Sequence, residues 1–185
     1  MASTNLFWAP SSDGNRTTWT FSAWLKISDV SQSQADIISA DYQNSGSYYT
    51  SLYFSTNGKL QLYSQDGSSY YWIRTNRRFN DISAWYHIVF VNDTTNNTQA
   101  DRMRLYVNGV RETSFDQEVM PAQNADNMWI NRAYEHNIGR DSKAAGGGGY
   151  TNTYFNGIMS HIHFIDGTAY DASYFGETDA TTGEW

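Results

Sequence analysis

The sequence has no cysteine, two prolines and three lysines (Lys26, Lys59 and Lys143). Without thiols there can be no disulfide framework, thiolate metal site or cysteine nucleophile. With so few lysines and a net charge of −7, little is left to build the basic face that displaces counterions from nucleic acid. No nucleic-acid partner is expected. No apolar run approaches the length of a membrane span, and the first residues lack the charged and apolar segments of a signal peptide. Membrane insertion is not expected either.

Aromatic residues are plentiful: 7 Trp, 14 Tyr and 9 Phe make up 16% of the chain, a content that argues against disorder. Ser, Thr, Asn, Asp and Gly together exceed a third of it. Turn formers beside aromatic and β-branched residues favour short strands and many loops over helices. At 185 residues the chain has the length of one domain with a core that needs no staples. The expected class is all-β, an antiparallel two-sheet sandwich over residues 1–185. Residues 1–17 read as an N-terminal lead and 168–185 as a C-terminal tail.

Alternation phases the strands. Trp19, Phe21, Ala23, Leu25 and Ile27 alternate with Thr20, Ser22, Trp24 and Lys26. Bulk on both faces places this strand inside a sandwich. Segments 37–42 and 48–54 follow. Asn57-Gly58 and Asn108-Gly109 read as two-residue hairpin turns, because both residue types tolerate positive φ; Asp66-Gly67 marks another turn. The strands between them are 59–64, 69–75, 103–107 and 110–115. Trp85 to Asn92 is the most apolar strand and Ile158 to Ile165 the last clear one. Residues 116–136 read as irregular, with a short strand at 128–130, and 172–175 as one helical turn. The polar run 93–101 and the stretch 141–152, with glycines at 146–149, read as surface loops. Phe21, Leu25, Ile88, Phe90, Leu105 and Val107 fall on core faces.

The order of several segments resembles the laminin-G-like branch of the concanavalin A-like lectin/glucanase superfamily. They are Trp19-Thr20-Phe21-Ser22-Ala23-Trp24-Leu25-Lys26, Trp85-Tyr86-His87-Ile88-Val89-Phe90 and Leu105-Tyr106-Val107-Asn108-Gly109, followed by Ile138-Gly139-Arg140 and Gly157-Ile158-Met159-Ser160-His161-Ile162-His163-Phe164. The ending, from Phe164-Ile165-Asp166-Gly167 through Phe175-Gly176-Glu177 to Gly183-Glu184-Trp185, is similar to laminin-G-like domains in structural capsid or tail proteins of tailed phages and aquatic viruses. The resemblance implies a jelly-roll sandwich with one sheet often concave. It also implies a place in the virion, with other virion proteins or further copies of the chain (a homo-oligomer) as partners and host-surface glycan as a ligand. Domains on this fold often hold a rim calcium through aspartate, asparagine and backbone oxygens. Asp41, Asp66, Asp93 and Asp141 lie at loop ends but form no dense ligand motif. A structural calcium stays open, and no other cofactor is expected.

Glycosidases on this fold need two carboxylates facing across a cleft, often from alternate residues of one strand. The five glutamates offer no such pair. Asp116 and Glu118 have the spacing but fall in the irregular stretch, where solvated carboxylates are the simpler account. His161 and His163 share a face of the last strand yet lack a visible third ligand, so packing with ordinary hydrogen bonds explains them better. His87 reads as a satisfied core residue. No Gly-Lys-Ser/Thr follows the glycine run, and no nucleophile elbow occurs. No catalytic residue is assigned and no enzyme is expected.

One face stands out. If Leu52, Phe54, Leu60, Leu62, Tyr71 and Ile73 point inward, three neighbouring strands turn their alternate residues outward together. The candidate ligand- or partner-binding residues are then Tyr49, Tyr53, Gln61, Tyr63, Trp72 and Arg74. Rings stack on the apolar face of a sugar while Gln and Arg meet its hydroxyls. The same composition suits a protein interface, and loops of the domain could instead cover it. The whole reads as a non-enzymatic virion structural protein, a capsid decoration or tail-fibre module attaching through glycan or protein contacts. Alternatives are a free carbohydrate-binding lectin with a rim calcium and, behind it, a glycoside hydrolase.

Overall fold

Residues 4–31, 34–42, 45–142 and 153–185 are described by the computed structural model. Their strands are β1 (Leu6–Trp8), β2 (Thr18–Ile27), β3 (Gln34–Asp41), β4 (Tyr48–Ser55), β5 (Lys59–Asp66) and β6 (Ser69–Arg78), then β7 (Tyr86–Asp93), β8 (Met103–Val107), β9 (Val110–Glu112), β10 (Phe115–Val119), β11 (His136–Ile138) and β12 (Gly157–Asp166). One sheet has the order β1-β11-β3-β4-β5-β6-β10 and the other β12-β2-β7-β8-β9. All pairings between these strands are antiparallel. The architecture is an all-β two-sheet sandwich.

Strand periodicity builds the core directly. Phe21, Leu25, Ile88, Phe90, Leu105 and Val107 from the five-stranded sheet are buried against Ile37, Ile38, Leu52, Phe54, Leu60, Leu62 and Ile73 from the seven-stranded sheet. Trp19 joins them, its ring centre 5.3 Å from Phe90 and 5.9 Å from Phe164. Each large side chain removed from water in this way contributes about 1.5–3 kcal/mol. Outside the sandwich a second apolar layer forms. Ala172, in a 3₁₀ turn at Ala172–Tyr174, packs with Phe175 and Trp185 on the outward side chains Val89 and Val91 of β7.

Several local expectations change. The stretch 116–136 is not wholly irregular, because Phe115–Val119 leaves β9 and pairs with β6 at the edge of the opposite sheet. Met128, Trp129 and Ile130 are buried but lie in no strand; Trp129 N–H donates to Thr50 Oγ1 at 2.8 Å. Apolar residues demand burial, not a ladder partner. Asn108-Gly109 is a two-residue turn between Val107 and Val110, with φ of 49° and 77°. Asn57 and Gly58 also have positive φ, but Ser55 pairs with Lys59, so that loop has three residues. The turn after β5 is Gly67-Ser68, since Asp66 pairs with Ser69. Strand register, rather than the dipeptide, sets loop length.

His161 and His163 do not follow simple alternation. Ser160 pairs with Trp24 and His163 with Ser22, so His161 and Ile162 together oppose Ala23 in a bulge, with φ 49° at His161. An extra residue breaks the period of two. The glycine run at 146–149 lies outside the described residues.

Candidate functional site

The register of β4, β5 and β6 decides which side chains share the outer face of the seven-stranded sheet. Ser51, Tyr63 and Trp72 form one cross-strand row, Tyr53, Gln61 and Arg74 the next, and Tyr49, Gln65 and Tyr70 a third. Alternate residues Leu52, Phe54, Leu60, Leu62 and Ile73 are buried in the core. Tyr49, Tyr53, Gln61, Tyr63, Trp72 and Arg74 therefore lie together on the face away from it.

Tyr63 is the centre of the cluster. Its ring lies 5.6 Å from Tyr49, 6.1 Å from Tyr70 at 14° and 5.7 Å from Trp72 at 79°. Such offset and edge-on geometries suit the aromatic quadrupole and hold the rings in fixed orientations. Burial, reinforced by neighbouring Tyr70, pushes the Tyr63 phenol above its ordinary value. It therefore remains a neutral hydroxyl near pH 7. Trp72 Nε1–H donates to Gln61 Oε1 at 3.2 Å, and Gln61 is buried. Beside this row Asp36, fully buried, accepts from Gln34 Nε2 at 2.9 Å and from the Ser51 hydroxyl.

Arg74 extends the cluster toward the sheet edge. Its guanidinium carbon lies 5.1 Å from the centre of the Trp72 ring, and Nε and Nη2 donate to Asp116 at 2.7 and 3.2 Å. Lys59 pairs with the same carboxylate. The Arg74 hydrogen bonds, assisted by Lys59 against a burial effect, hold Asp116 below the usual carboxylate range. Asp116 is thus an ionised clamp, and a carboxylate held in that state is poorly suited to general-acid work. Its part was hidden in the sequence, because nothing local reveals that β10 crosses to β6.

The other candidates are tied into structure. Asp66 lies 3.6 Å from Arg132, and Asp93 lies 3.8 Å from Arg104; Asp41 and Asp141 are buried. No group of three or more His, Asp or Glu converges on a metal position among the described residues. Loop 93–101 is pinned by Arg102, which donates to the carbonyls of Asn96, Asn97 and Pro121.

His87 is buried, with Nε2 2.9 Å from Ser22 Oγ and Nδ1 accepting from Trp185 Nε1 at 2.8 Å. Burial lowers its pKa to about 4, with a smaller contribution from His163. It is neutral and saturated, as a structural histidine would be. The outer face supplies rings, an amide, phenol hydroxyls and a carboxylate shared by two cations. Such groups can hold a hydroxyl-rich ligand or a protein surface.

Known proteins place this geometry. Residues 3–173 match a laminin-G family model described as the concanavalin A-like lectin/glucanases superfamily. No curated protein matches the chain in sequence. Among solved structures, domains LG4-5 of the mouse laminin alpha1 chain align with a TM-score of 0.61 at 12% identity, covering 90% of this chain and 40% of that one. The CBM40 of Ruminococcus gnavus IT-sialidase aligns at 0.60 and 11% identity, over 94% and 96% of the two chains. Domain 4 of AbnA, an extracellular arabinanase from Geobacillus stearothermophilus solved with arabinotriose, aligns at 0.58 and 16% identity, over 83% and 63%. The chain thus spans less than two thirds of the laminin and arabinanase chains. At these identities the likeness is one of fold. The chain belongs to the laminin-G family of the concanavalin A-like lectin/glucanases superfamily.

Proposed function

We propose that this chain is a non-catalytic attachment module that binds glycan through the outer face of its seven-stranded sheet, around Tyr63 and Trp72. The observation that carries this reading is the cluster of four oriented rings, Tyr49, Tyr63, Tyr70 and Trp72, with Gln61 bonded to the indole among them. Ring faces meet the C–H face of a sugar, and phenols and amides exchange hydrogen bonds with its hydroxyls. Asp116 already engages both Arg74 and Lys59, so stacking and hydrogen bonding, rather than a free cation, are what the face offers a glycan. Structural neighbours that include a carbohydrate-binding module and a domain solved with arabinotriose support this choice over a hydrolase.

Resemblance of the ending at 164–185 to phage and viral domains supports a place on the virus particle, as a capsid decoration or tail-fibre module. Its partners there would be other virion proteins or copies of itself. The test is retention on immobilised glycans and on host cells, comparing wild type with Trp72→Ala and Tyr63→Ala. Binding should weaken about tenfold for each ring lost, on the scale of one stacking contact. Folded Trp72→Ala and Tyr63→Ala proteins that hold every glycan bound by the wild type, and the host cells, with unchanged affinity would remove this face from consideration.

A further inference from the structure

The opposite sheet carries a second aromatic feature that this function does not use. Trp24 in β2 points outward, and Trp85, immediately before β7, is 39% exposed. Both line two neighbouring cavities. One, of about 330 Å³, is completed by Ser160 and His161. The other, of about 580 Å³, continues past Asn108 to Trp185. Sharing the two tryptophans makes them one trough, with volumes in the range of small-molecule sites.

Its walls are fixed rather than incidental. Trp24 is stacked on His87 at 5.0 Å and 26°, and Trp185, bonded to Nδ1 of the same ring, lies nearly parallel to it at 5.8 Å and 18°. His161 is brought to the trough by the bulge in β12, at a positive φ that few residues other than glycine adopt. Ser160 Oγ lies 2.7 Å from His161 Nδ1 and sets the ring. Strained backbone of this kind persists where the surroundings hold it, and it collects at binding sites.

We propose that this trough is a second, independent carbohydrate site, specific for neutral oligosaccharides. Two indoles at its centre offer flat π surfaces to the C–H face of a sugar ring, whereas Ser160, His161 and Asn108 offer hydroxyl partners. Among the described lining residues there is no lysine or arginine, and Glu184 borders the larger cavity. An anionic sugar would meet repulsion there without a compensating cation. The site lies on the five-stranded sheet, away from Tyr63 and Trp72, so it stands or falls separately from the face proposed above.

The experiment is calorimetric titration of the full chain with cellotriose, maltotriose, mannotriose and xylotriose, with trigalacturonic acid as the charged control. At least one neutral trisaccharide should bind wild type and Trp72→Ala alike and bind Trp85→Ala about tenfold more weakly. His161→Ala, at an exposed position, should weaken the same sugar and guards against misfolding of the tryptophan variant. No neutral sugar bound, equal affinity for Trp85→Ala, or equal affinity for the acidic control would each overturn the proposal. Loss of all binding in Trp72→Ala would also overturn it while leaving the first face standing. Self-association that Trp85→Ala abolishes, with no response to sugar, would assign the trough to a second copy of the chain instead.

Discussion

Trp185 donates its indole N–H to Nδ1 of His87 across 2.8 Å. An indole nitrogen can only donate, so Nδ1 must be unprotonated and the ring proton sits on Nε2, directed at Ser22 Oγ 2.9 Å away. His136 is the mirror case. Its Nε2 accepts the Asn131 backbone N–H at 2.8 Å, which leaves Nδ1–H to donate to the Tyr134 carbonyl at 2.9 Å. Two buried histidines thus carry opposite tautomers, each imposed by a partner whose role is not reversible.

Trp185→Phe keeps a ring but removes the donor, and it should cost about 1–3 kcal/mol by leaving Nδ1 of His87 buried without its bond. The measurement is thermal melting together with imidazole nitrogen shifts. An unchanged melting temperature and an unchanged tautomer would show that the bond contributes nothing.

Acid should destabilise the protein in a defined window. His87 and His136 are both lowered from 6.5 to about 4, mainly by burial. Between those values the unfolded chain binds more protons than the folded one, so stability falls as pH falls. The contribution is complete above about pH 6.5 and lost below about pH 4, at about 1.4 kcal/mol per pH unit for each imidazole. Denaturant midpoints measured from pH 7 to 4 should fall throughout that range, and His136→Gln should make the slope shallower. A flat profile would contradict the burial of both rings.

Gly109 is held for two reasons at once. Its φ is 77°, and a Cβ there would lie 2.2 Å from Cε3 of Trp185. Gly109→Ala must strain the turn and push Trp185 off His87, so a loss of about 1–3 kcal/mol is expected. Tryptophan fluorescence should report the displaced indole in the folded state. Wild-type emission and stability in Gly109→Ala would refute the packing described for this corner.

Phe90 is fully buried between the sheets and opposes Phe21 and Leu105 in adjacent strands. Phe90→Ala should cost about 3–5 kcal/mol through lost transfer energy and a cavity. That is a large part of the total stability of a typical domain. A variant melting with wild type would mean that the phase of β7 is wrong.

Much of the molecule is legible from local chemistry. Alternation in β2, β4, β5, β6, β7 and β8 marks inward and outward residues, because side chains of a strand change sides with every residue and water sorts them. That periodicity suffices to put Tyr49, Tyr53, Gln61, Tyr63, Trp72 and Arg74 on one face and Phe90 in the core. Asn108-Gly109 is likewise readable, since few dipeptides accept two positive φ values in succession.

Pairing across distance is another matter. That β10 crosses to β6 and lends Asp116 to Arg74, or that β1 and β11 are strands at all, depends on partners far along the chain. Three residues are too few to show a period. The bulge at His161 breaks the alternation only because β2 holds the register on either side of it. Trp185 reaches His87 across a sequence separation of 98, and no local rule anticipates that contact. Composition and periodicity determine which residues leave water; only the folded sheets decide which of them meet, because that choice is made by packing and hydrogen-bond geometry between segments remote in sequence.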